Sequence, residues 1–120
     1  MSVAALQPMR GDVFCAQLNP IQGSEQGGTR PVVVVSRDAI NRFSPIVIVV
    51  PATDLGNKKK ILPSHVKVAA GSGGLTLDSV ILCEQVRSIA KTRLTTHMGR
   101  LDKAIMTSID AALKITLDLP

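Results

Sequence analysis

Two polar residues of this sequence border apolar, β-branched runs and have side chains suited to binding a phosphate. Arg30 ends a polar stretch with three glycines, residues 23–30, and lies just before the run 32–35. Thr53 ends a second apolar run, residues 46–53. A guanidinium can donate two parallel hydrogen bonds to a phosphate, and a threonine hydroxyl can donate one to the same group. If the two runs form antiparallel neighbouring strands, Arg30 and Thr53 lie side by side.

Taken alone, this pair has an ordinary structural explanation. An arginine before a strand is usually a surface residue, and a threonine after Pro-Ala is usually a turn cap. The glycines give the preceding loop backbone freedom. Pro31 is expected to begin the next strand, where its missing N–H is tolerated. Arg30 is therefore expected at the junction of a mobile loop and a rigid strand, and Glu25 is the only carboxylate in that loop.

Other common catalytic patterns are absent from the sequence. It contains no nucleophile elbow, no HExxH and no P-loop lysine motif. His65 and His97 lie far apart in the chain, and each is expected at the surface near the edge of an element. Cys15 and Cys83 lie among strand-forming residues without nearby His or Asp. This pattern predicts reduced, buried thiols of a cytosolic protein and no metal site.

Hydrophobic patterning predicts a mainly β domain with α structure, of the α+β class. Residues 38–42 and 91–99 are each expected to include one helical turn. Residues 102–117 have apolar side chains at three- and four-residue steps, which predicts a C-terminal amphipathic helix with Asp102 as its N-cap. Short strands and long loops favour a small curled barrel of about five to seven strands. The clearest predicted strands are residues 12–18, 32–36, 46–53, 64–69 and 79–89.

Length and charge restrict the domain organisation and the partners. The chain has 120 residues, enough for one domain with a modest core. A net charge of +5 and a pI of about 9.7 favour nucleic acid, an acidic protein or an anionic membrane surface as partner, although solubility alone would also explain them. No apolar run is long enough to span a membrane. Met9 resembles a second start, so residues 1–8 are expected to be a dispensable tail before a domain of residues 9–120.

Several stretches together resemble the MazF/PemK toxins of bacterial toxin–antitoxin pairs. The resemblance covers roughly residues 9–117. Its most specific parts are the glycine-rich loop and the sequence Glu84-Gln85-Val86-Arg87. Cys15 stands where many relatives have an aromatic residue. The matching stretches are residues 9–14, 18–20, 23–34, 41–43, 51–53, 78–89, 93–94 and the closing helix.

The resemblance implies a sequence-specific endoribonuclease that cuts single-stranded RNA, chiefly messenger RNA, in the cytoplasm. It implies a small SH3-like barrel of the CcdB–PemK type, a homodimer, and no metal or other cofactor. It also implies an antitoxin whose acidic, partly disordered tail covers the RNA groove. The catalytic arginine and threonine of the family correspond to Arg30 and Thr53, and its loop glutamate corresponds to Glu25.

A metal-free cut uses the 2′-OH of the RNA as nucleophile and leaves a 2′,3′-cyclic phosphate and a 5′-OH. Arg30 and Thr53 could align this attack and stabilise the charged phosphorane. Arginine holds its proton tightly at neutral pH, so the first role of Arg30 is expected to be electrostatic, with proton donation to the leaving oxygen occurring late. Glu25 is either the base for the 2′-OH or the partner of a salt bridge that positions Arg30.

Further residues are candidates for binding the RNA. Polar side chains could read unstacked base edges, an aromatic ring could stack on a base, and lysines could contact the phosphates. In the absence of RNA, three adjacent lysines are more simply a solvated surface. The candidates are Ser24, Gln26, Asn41, Glu84 and Gln85 for the bases, Phe43 for stacking, and Lys58, Lys59 and Lys60 for the backbone.

Two other classes of function fit the same fold. One is a toxin that poisons a protein target such as DNA gyrase, as the related CcdB group does. The other is a catalytically silent RNA-binding module. The presence of both Arg30 and Thr53 favours the ribonuclease, because a gyrase poison does not need that pair and a silent module would tolerate the loss of either.

Overall fold

The computed structural model describes residues 7–20, 22–58 and 60–120. The predicted tail lies mostly outside this range, as does Lys59. Of the tail, Pro8 is buried, and the Gln7 side-chain amide donates to the Asn41 carbonyl at 2.8 Å. The elements are β1 (Asp12–Gln17), β2 (Thr29–Val34), α1 (Asp38–Phe43), β3 (Ile46–Asp54), β4 (His65–Val68), β5 (Ser79–Leu82), β6 (Arg87–Ala90), β7 (Leu94–Arg100) and α2 (Lys103–Leu117).

The seven strands found among the described residues form one antiparallel sheet. Its order is β4-β5-β3-β2-β1-β7, with β6 paired to the first half of β3. β4 and β7 lie at the two ends of this order, so the sheet is not closed into a complete barrel. The predicted class, a mainly β fold of five to seven strands with a C-terminal helix, is confirmed.

Alternating side chains of the central strands form two apolar clusters. Val33 and Val50 belong to one cluster, against which α2 packs Met106 and Ile109. Val32 and its alternating neighbours belong to the other, together with Phe14, the largest fully buried side chain. Because successive residues of a strand point to opposite faces, a continuous valine run is buried on both sides.

The C-terminal helix begins where the sequence predicts. Asp102 is the N-cap, and its carboxylate accepts a hydrogen bond from the Ile105 amide at 2.9 Å. This bond satisfies one of the backbone donors that a helix start leaves free. No helix in the described part of the chain is long and apolar enough to cross a membrane.

Three predicted boundaries are wrong. β2 begins at Thr29, so Arg30 and Pro31 lie inside the strand and not before it. The predicted strand 79–89 is two strands, separated by a 3-10 helix at Cys83–Gln85. Residues 91–99 include the predicted helical turn, a 3-10 helix at Lys91–Arg93, but from Leu94 onward they form β7, which the prediction lacks. β7 is polar because it is an edge strand with mostly exposed side chains, which hides the alternation that reveals a half-buried strand.

Both cysteines are free, as predicted. Cys83 is buried, and this burial, with a contribution from the charge of Glu84, raises the pKa of its thiol to about 12. Cys15 is only half-buried, with Sγ 3.5 Å from Met98 Sδ. The prediction of a buried thiol is therefore confirmed for Cys83 and wrong for Cys15.

A 3-10 helix at Ser72–Gly74 packs closely against β7. A Cβ at Gly74 would lie 2.1 Å from the Met98 carbonyl oxygen, although no atom lies within 4 Å of a Cβ at Gly71. Both glycines have positive φ, 93° at Gly71 and 78° at Gly74. They therefore share the backbone strain that an alanine would suffer, but only Gly74 adds a clash.

We expect Gly74→Ala to lower the free energy of unfolding by about 1–3 kcal/mol more than Gly71→Ala, the usual cost of overpacking. Urea unfolding of both variants measures this difference. Equal losses would mean that the approach of residue 74 to Met98 is not a tight constraint.

Candidate active site

A cleft opens where β2 and β3 part. The two strands pair as far as Val32 opposite Pro51. From Ala52 onward β3 pairs with β5, although β2 continues along β1 back to Thr29. The gap is a cleft of about 230 Å³. Its lining residues are Thr29, Arg30, Pro31, Ala52, Thr53, Asp54, Leu75, Thr76, Leu77, Ser79 and Met98.

Arg30 and Thr53 both line this cleft, as the sequence predicts for antiparallel neighbours. Val32 pairs with Pro51, so two residues further along each strand Arg30 faces Thr53 across the gap. Thr53 is 6% exposed and Arg30 is half-buried. An arginine and a buried threonine therefore line the same small cleft, whose other walls are largely apolar.

The guanidinium of Arg30 is held by its own loop. Its Nε donates to the Gly27 carbonyl at 2.7 Å. This bond does not use Nη1 or Nη2, the two nitrogens best placed for a forked contact with a phosphate. The alternative role of Glu25, a salt bridge to Arg30, does not occur within the described residues. Glu25 is exposed and lines a different cleft.

This second cleft, of about 470 Å³, joins the glycine-rich loop to the segment between β5 and β6. It brings together five predicted site residues that lie some 60 positions apart in the chain, and it adds Arg87, which the prediction omitted. Nη1 of Arg87 is buried without a hydrogen-bond partner among the described residues. The sequence signal that could have identified Arg87 is its place in the Glu84–Arg87 stretch, one of the most specific parts of the family resemblance. The lining residues are Ser24, Glu25, Gln26, Pro51, Glu84, Gln85, Val86 and Arg87.

The loop is anchored at its root and at its tip. At the root, the Leu18 amide donates to the Gly28 carbonyl at 2.9 Å, and the Gly28 amide donates to Asn19 Oδ1 at 3.0 Å. Arg93 Nη1 donates to the Gln17 carbonyl at 3.0 Å and also to that of Asn19. At the tip, the Gln26 amide donates to Gln85 Oε1 at 2.8 Å.

Glu84 is fixed by two neighbours from the start of β4. Ser64 Oγ donates to its Oε1 at 3.0 Å, and His65 Nε2 lies 2.9 Å from its Oε2. His65 Nδ1 accepts from the Leu62 amide at 3.0 Å, so the ring carries its proton on Nε2 and donates it to Glu84. The side chain of His65 is only 2% exposed, so the prediction of a surface histidine is wrong for this residue.

The pKa of Glu84 reflects these contacts. Partial burial raises it, but the hydrogen bonds from His65, the backbone and Ser64 outweigh that effect and hold the pKa below its usual value. Glu84 therefore faces the second cleft as a carboxylate at neutral pH. It can accept hydrogen bonds from base amino groups.

Two predicted RNA-binding residues lie away from both clefts. Asn41 is completely buried. Its Nδ2 donates to the Ser36 carbonyl at 2.9 Å, and its Oδ1 accepts from Ser36 Oγ. The prediction that Asn41 reads bases is therefore wrong, because its amide is committed to the fold. A polar residue in the core could not be recognised from the local sequence.

Phe43 is 80% exposed at the end of α1. It precedes the start of β3 at Ile46, and Thr53 lies seven residues further along that strand, a separation of about 23 Å at 3.3 Å per residue. Phe43 therefore lies far from Thr53 along the sheet, and its stacking on a base stays a prediction.

The remaining residues with a sequence-based prediction are His97, expected at the surface, and the lysines, expected to contact the RNA backbone. His97 is partly exposed on β7, with Nε2 3.4 Å from Asp12 Oδ1 and its ring against Phe14. Lys58 and Lys60 follow the 3-10 helix Leu55–Asn57 shortly after Thr53, and Lys60 is exposed. Across the described ranges, no group of three or more His, Cys, Asp or Glu side chains could hold a metal ion.

A basic chain with an arginine and a hydroxyl in one cleft, beside a second cleft of amides and carboxylates, has the groups of a nucleic-acid-processing protein. Residues 9–117 match the PemK-like, MazF-like toxins of type II toxin–antitoxin systems, and the chain belongs to this family.

Relatives span almost the whole chain. Endoribonuclease EndoA of Bacillus subtilis is 51% identical over 110 residues, covering 92% of this chain and 94% of that protein. Endoribonuclease MazF of Staphylococcus epidermidis is 49% identical over 110 residues, covering 92% and 91%. A solved mycobacterial endoribonuclease in complex with its cognate antitoxin is 26% identical, with a TM-score of 0.78, covering 94% of this chain and 97% of that one.

The contacts of Glu84 give a pH-dependent prediction. Because its pKa is lower in the folded chain, its contribution to stability is present above the unfolded value of about 4.3 and is lost as the pH falls through the folded value. Glu84→Gln should cost about 1 kcal/mol at neutral pH, the usual size for one hydrogen bond. It should also flatten the loss of stability between neutral pH and a pH of about 3.

Thermal unfolding across that pH range measures both effects. Glu25→Gln is the matched control, because it removes a carboxylate from the same cleft without touching Ser64 or His65. If both variants change the pH profile equally, the bonds to Ser64 and His65 do not set the acid response.

Proposed function

We propose that this chain is a sequence-specific endoribonuclease that cuts single-stranded messenger RNA without a metal ion. The observation that carries this proposal is the convergence of Arg30 and Thr53 on the cleft between β2 and β3. The names of the two relatives at about half identity support the same activity.

The scissile phosphate binds between the Nη groups of Arg30 and the hydroxyl of Thr53. The 2′-oxygen attacks phosphorus, the P–O5′ bond breaks, and the products are a 2′,3′-cyclic phosphate and a 5′-OH. Arg30 stabilises the negative charge that builds on the phosphorane oxygens, and Thr53 donates a hydrogen bond to one of them. The proton that the leaving O5′ takes up comes late from Arg30, driven by the basicity of the alkoxide.

Glu25 accepts the proton of the 2′-OH in this proposal. It lies in the loop that also supplies the Gly27 carbonyl to Arg30, and it lines the neighbouring cleft. The RNA backbone must therefore cross from one cleft to the other at the scissile bond. Glu25 is exposed, so a bound RNA rather than the fold must fix its orientation.

The second cleft receives the bases next to the cut. Its carboxylates and amides form hydrogen bonds with base edges. This mode of recognition suits a protein that has only two aromatic residues on which bases could stack. Lys58 and Lys60 bind flanking phosphates, as does Lys59, which lies outside the described residues. The base-contacting residues are Ser24, Gln26 and Glu84, with Arg87 added from the structure. Gln85, also predicted to read bases, has its amide oxygen bonded to the Gln26 backbone instead.

The proposed partner is an antitoxin with an acidic, partly disordered tail that covers these clefts. The relative solved with its cognate antitoxin supports a protein of this kind, and the net charge of +5 favours an acidic segment. We also propose that the chain acts in the cytoplasm, where messenger RNA is found, and as a homodimer.

Arg30→Ala tests the mechanism. Loss of one transition-state donor typically lowers kcat by a factor of about 10²–10³, and Arg30 also supplies charge, so we expect at least that loss in cleavage of a short RNA. Arg37→Ala removes the same charge from an exposed position at the start of α1 and should keep most of the activity. Cleavage by Arg30→Ala at the rate of the Arg37 control would exclude Arg30 from the mechanism.

Thr53→Val keeps the size of the side chain and removes only the hydroxyl. We expect kcat to fall by a factor of about 10² with little change in stability, because the hydroxyl acts on the reacting phosphate. Thr92→Val, at an exposed position that lines neither cleft, is the control. Full activity of Thr53→Val would make Thr53 a structural residue only.

A further inference from the structure

Gln85 contacts the glycine-rich loop through both the oxygen and the nitrogen of its side-chain amide. Its Oε1 accepts from the Gln26 backbone N–H at 2.8 Å, and its Nε2 lies 3.5 Å from the Ser24 carbonyl. The first contact is a well-formed hydrogen bond and the second is at the limit of one. These contacts join positions some 60 residues apart and close the loop tip onto the 3-10 helix Cys83–Gln85.

The residue after Gln26 is the one that holds Arg30. The Gly27 carbonyl accepts from Arg30 Nε at 2.7 Å. One peptide unit therefore separates the bond made by Gln85 from the bond that orients the guanidinium. The Gly27 carbonyl shares one planar peptide with the Gly28 amide, which donates to Asn19 Oδ1 at 3.0 Å. The Gln85 contact holds the other side of Gly27, so the two bonds together fix the direction of this carbonyl.

The tip has freedom to shift if this contact is lost. Gly23 and Gly28 bracket it with φ of 56° and 72°, and a Cβ at either position would meet no atom within 4 Å. The root bonds of Asn19 and Arg93 hold the two ends of the loop, including the peptide between Gly27 and Gly28, but do not reach residues 24–26. The contacts of Gln85 therefore restrain the position of the loop tip between the two glycines.

We propose that Gln85 is a positioning residue for the cleavage reaction, whose side-chain carbonyl holds the Gln26 amide and through it keeps Gly27 and Arg30 in the reactive arrangement. This inference rests on the proposed ribonuclease function. It gives Gln85 a role different from the base reading predicted from the sequence, because the carbonyl oxygen of its amide is already occupied.

Two substitutions separate positioning from base reading. Gln85→Met keeps the length of the side chain and removes both hydrogen-bonding groups. Gln85→Glu keeps an oxygen that can accept from the Gln26 amide but removes the Nε2 donor. Each is measured for kcat and KM on a short RNA that contains the cleavage site, and for the sequences cut in a long RNA.

We expect Gln85→Met to lower kcat about tenfold, equivalent to about 1.4 kcal/mol of barrier, and to cut at unchanged sequences. Gln85→Glu should restore kcat to within about twofold of the unmodified chain, with a higher KM because it adds a negative charge beside the RNA. An unchanged kcat for Gln85→Met, or altered cleavage sequences for Gln85→Glu, would overturn the proposal.

Hydrogen exchange of the Gln26 amide gives a readout that does not depend on activity. It should be faster in Gln85→Met and protected in Gln85→Glu, with equal thermal stability showing that both variants fold. Equal exchange in all three proteins would also overturn the proposal. If the unmodified chain cuts no RNA but Gln26 exchange changes as expected, the proposed function fails and the loop contact stands.

Discussion

The site depends on one feature of the sheet, the change of partner along β3. Its first part pairs with β2 and β6 and its last part pairs with β5. Pro31 and Pro51 lie at the point where β2 and β3 part, and neither has an N–H to donate to a ladder between them. The two strands therefore separate next to a rigid valine-rich core. Arg30 and Thr53 are the residues that this separation leaves facing each other across the cleft.

The arrangement combines rigid and adaptable parts. Thr53 lies on β3, and the residues that precede it on this strand are buried on both faces of the sheet. The packed core therefore fixes the position of Thr53. Arg30 is also on a strand, but its guanidinium is oriented by a carbonyl from the glycine-rich loop. The same loop carries Glu25 and borders the second cleft. Its conformation thus links the charge at the scissile phosphate to the groups beside the bases, and a covering partner could act on both at once.

Much of this architecture could be predicted from local sequence, because β-branched runs and a capped amphipathic helix are strong signals. The local sequence does not reveal β7, because its polar side chains are those of an exposed edge strand. The prediction that Asn41 reads bases fails because its bonds to Ser36 in the core are made only by the fold. Residue types and the family resemblance both indicate Arg30 and Thr53, but their shared cleft also requires that β2 and β3 pair in the observed antiparallel register. The Gln85–Gln26 contact joins distant segments and could not be predicted from either one.

The central claim is that these groups cut RNA at a defined sequence by using its own 2′-OH. The most direct test is to incubate the purified, folded chain, free of antitoxin, with a long unstructured RNA and excess chelator, and then to map the new ends and their chemistry. The account predicts cuts at one short recurring sequence, with 2′,3′-cyclic phosphate and 5′-OH ends. An absence of cuts would contradict it and favour a protein target such as gyrase, and 3′-OH ends would contradict the proposed chemistry.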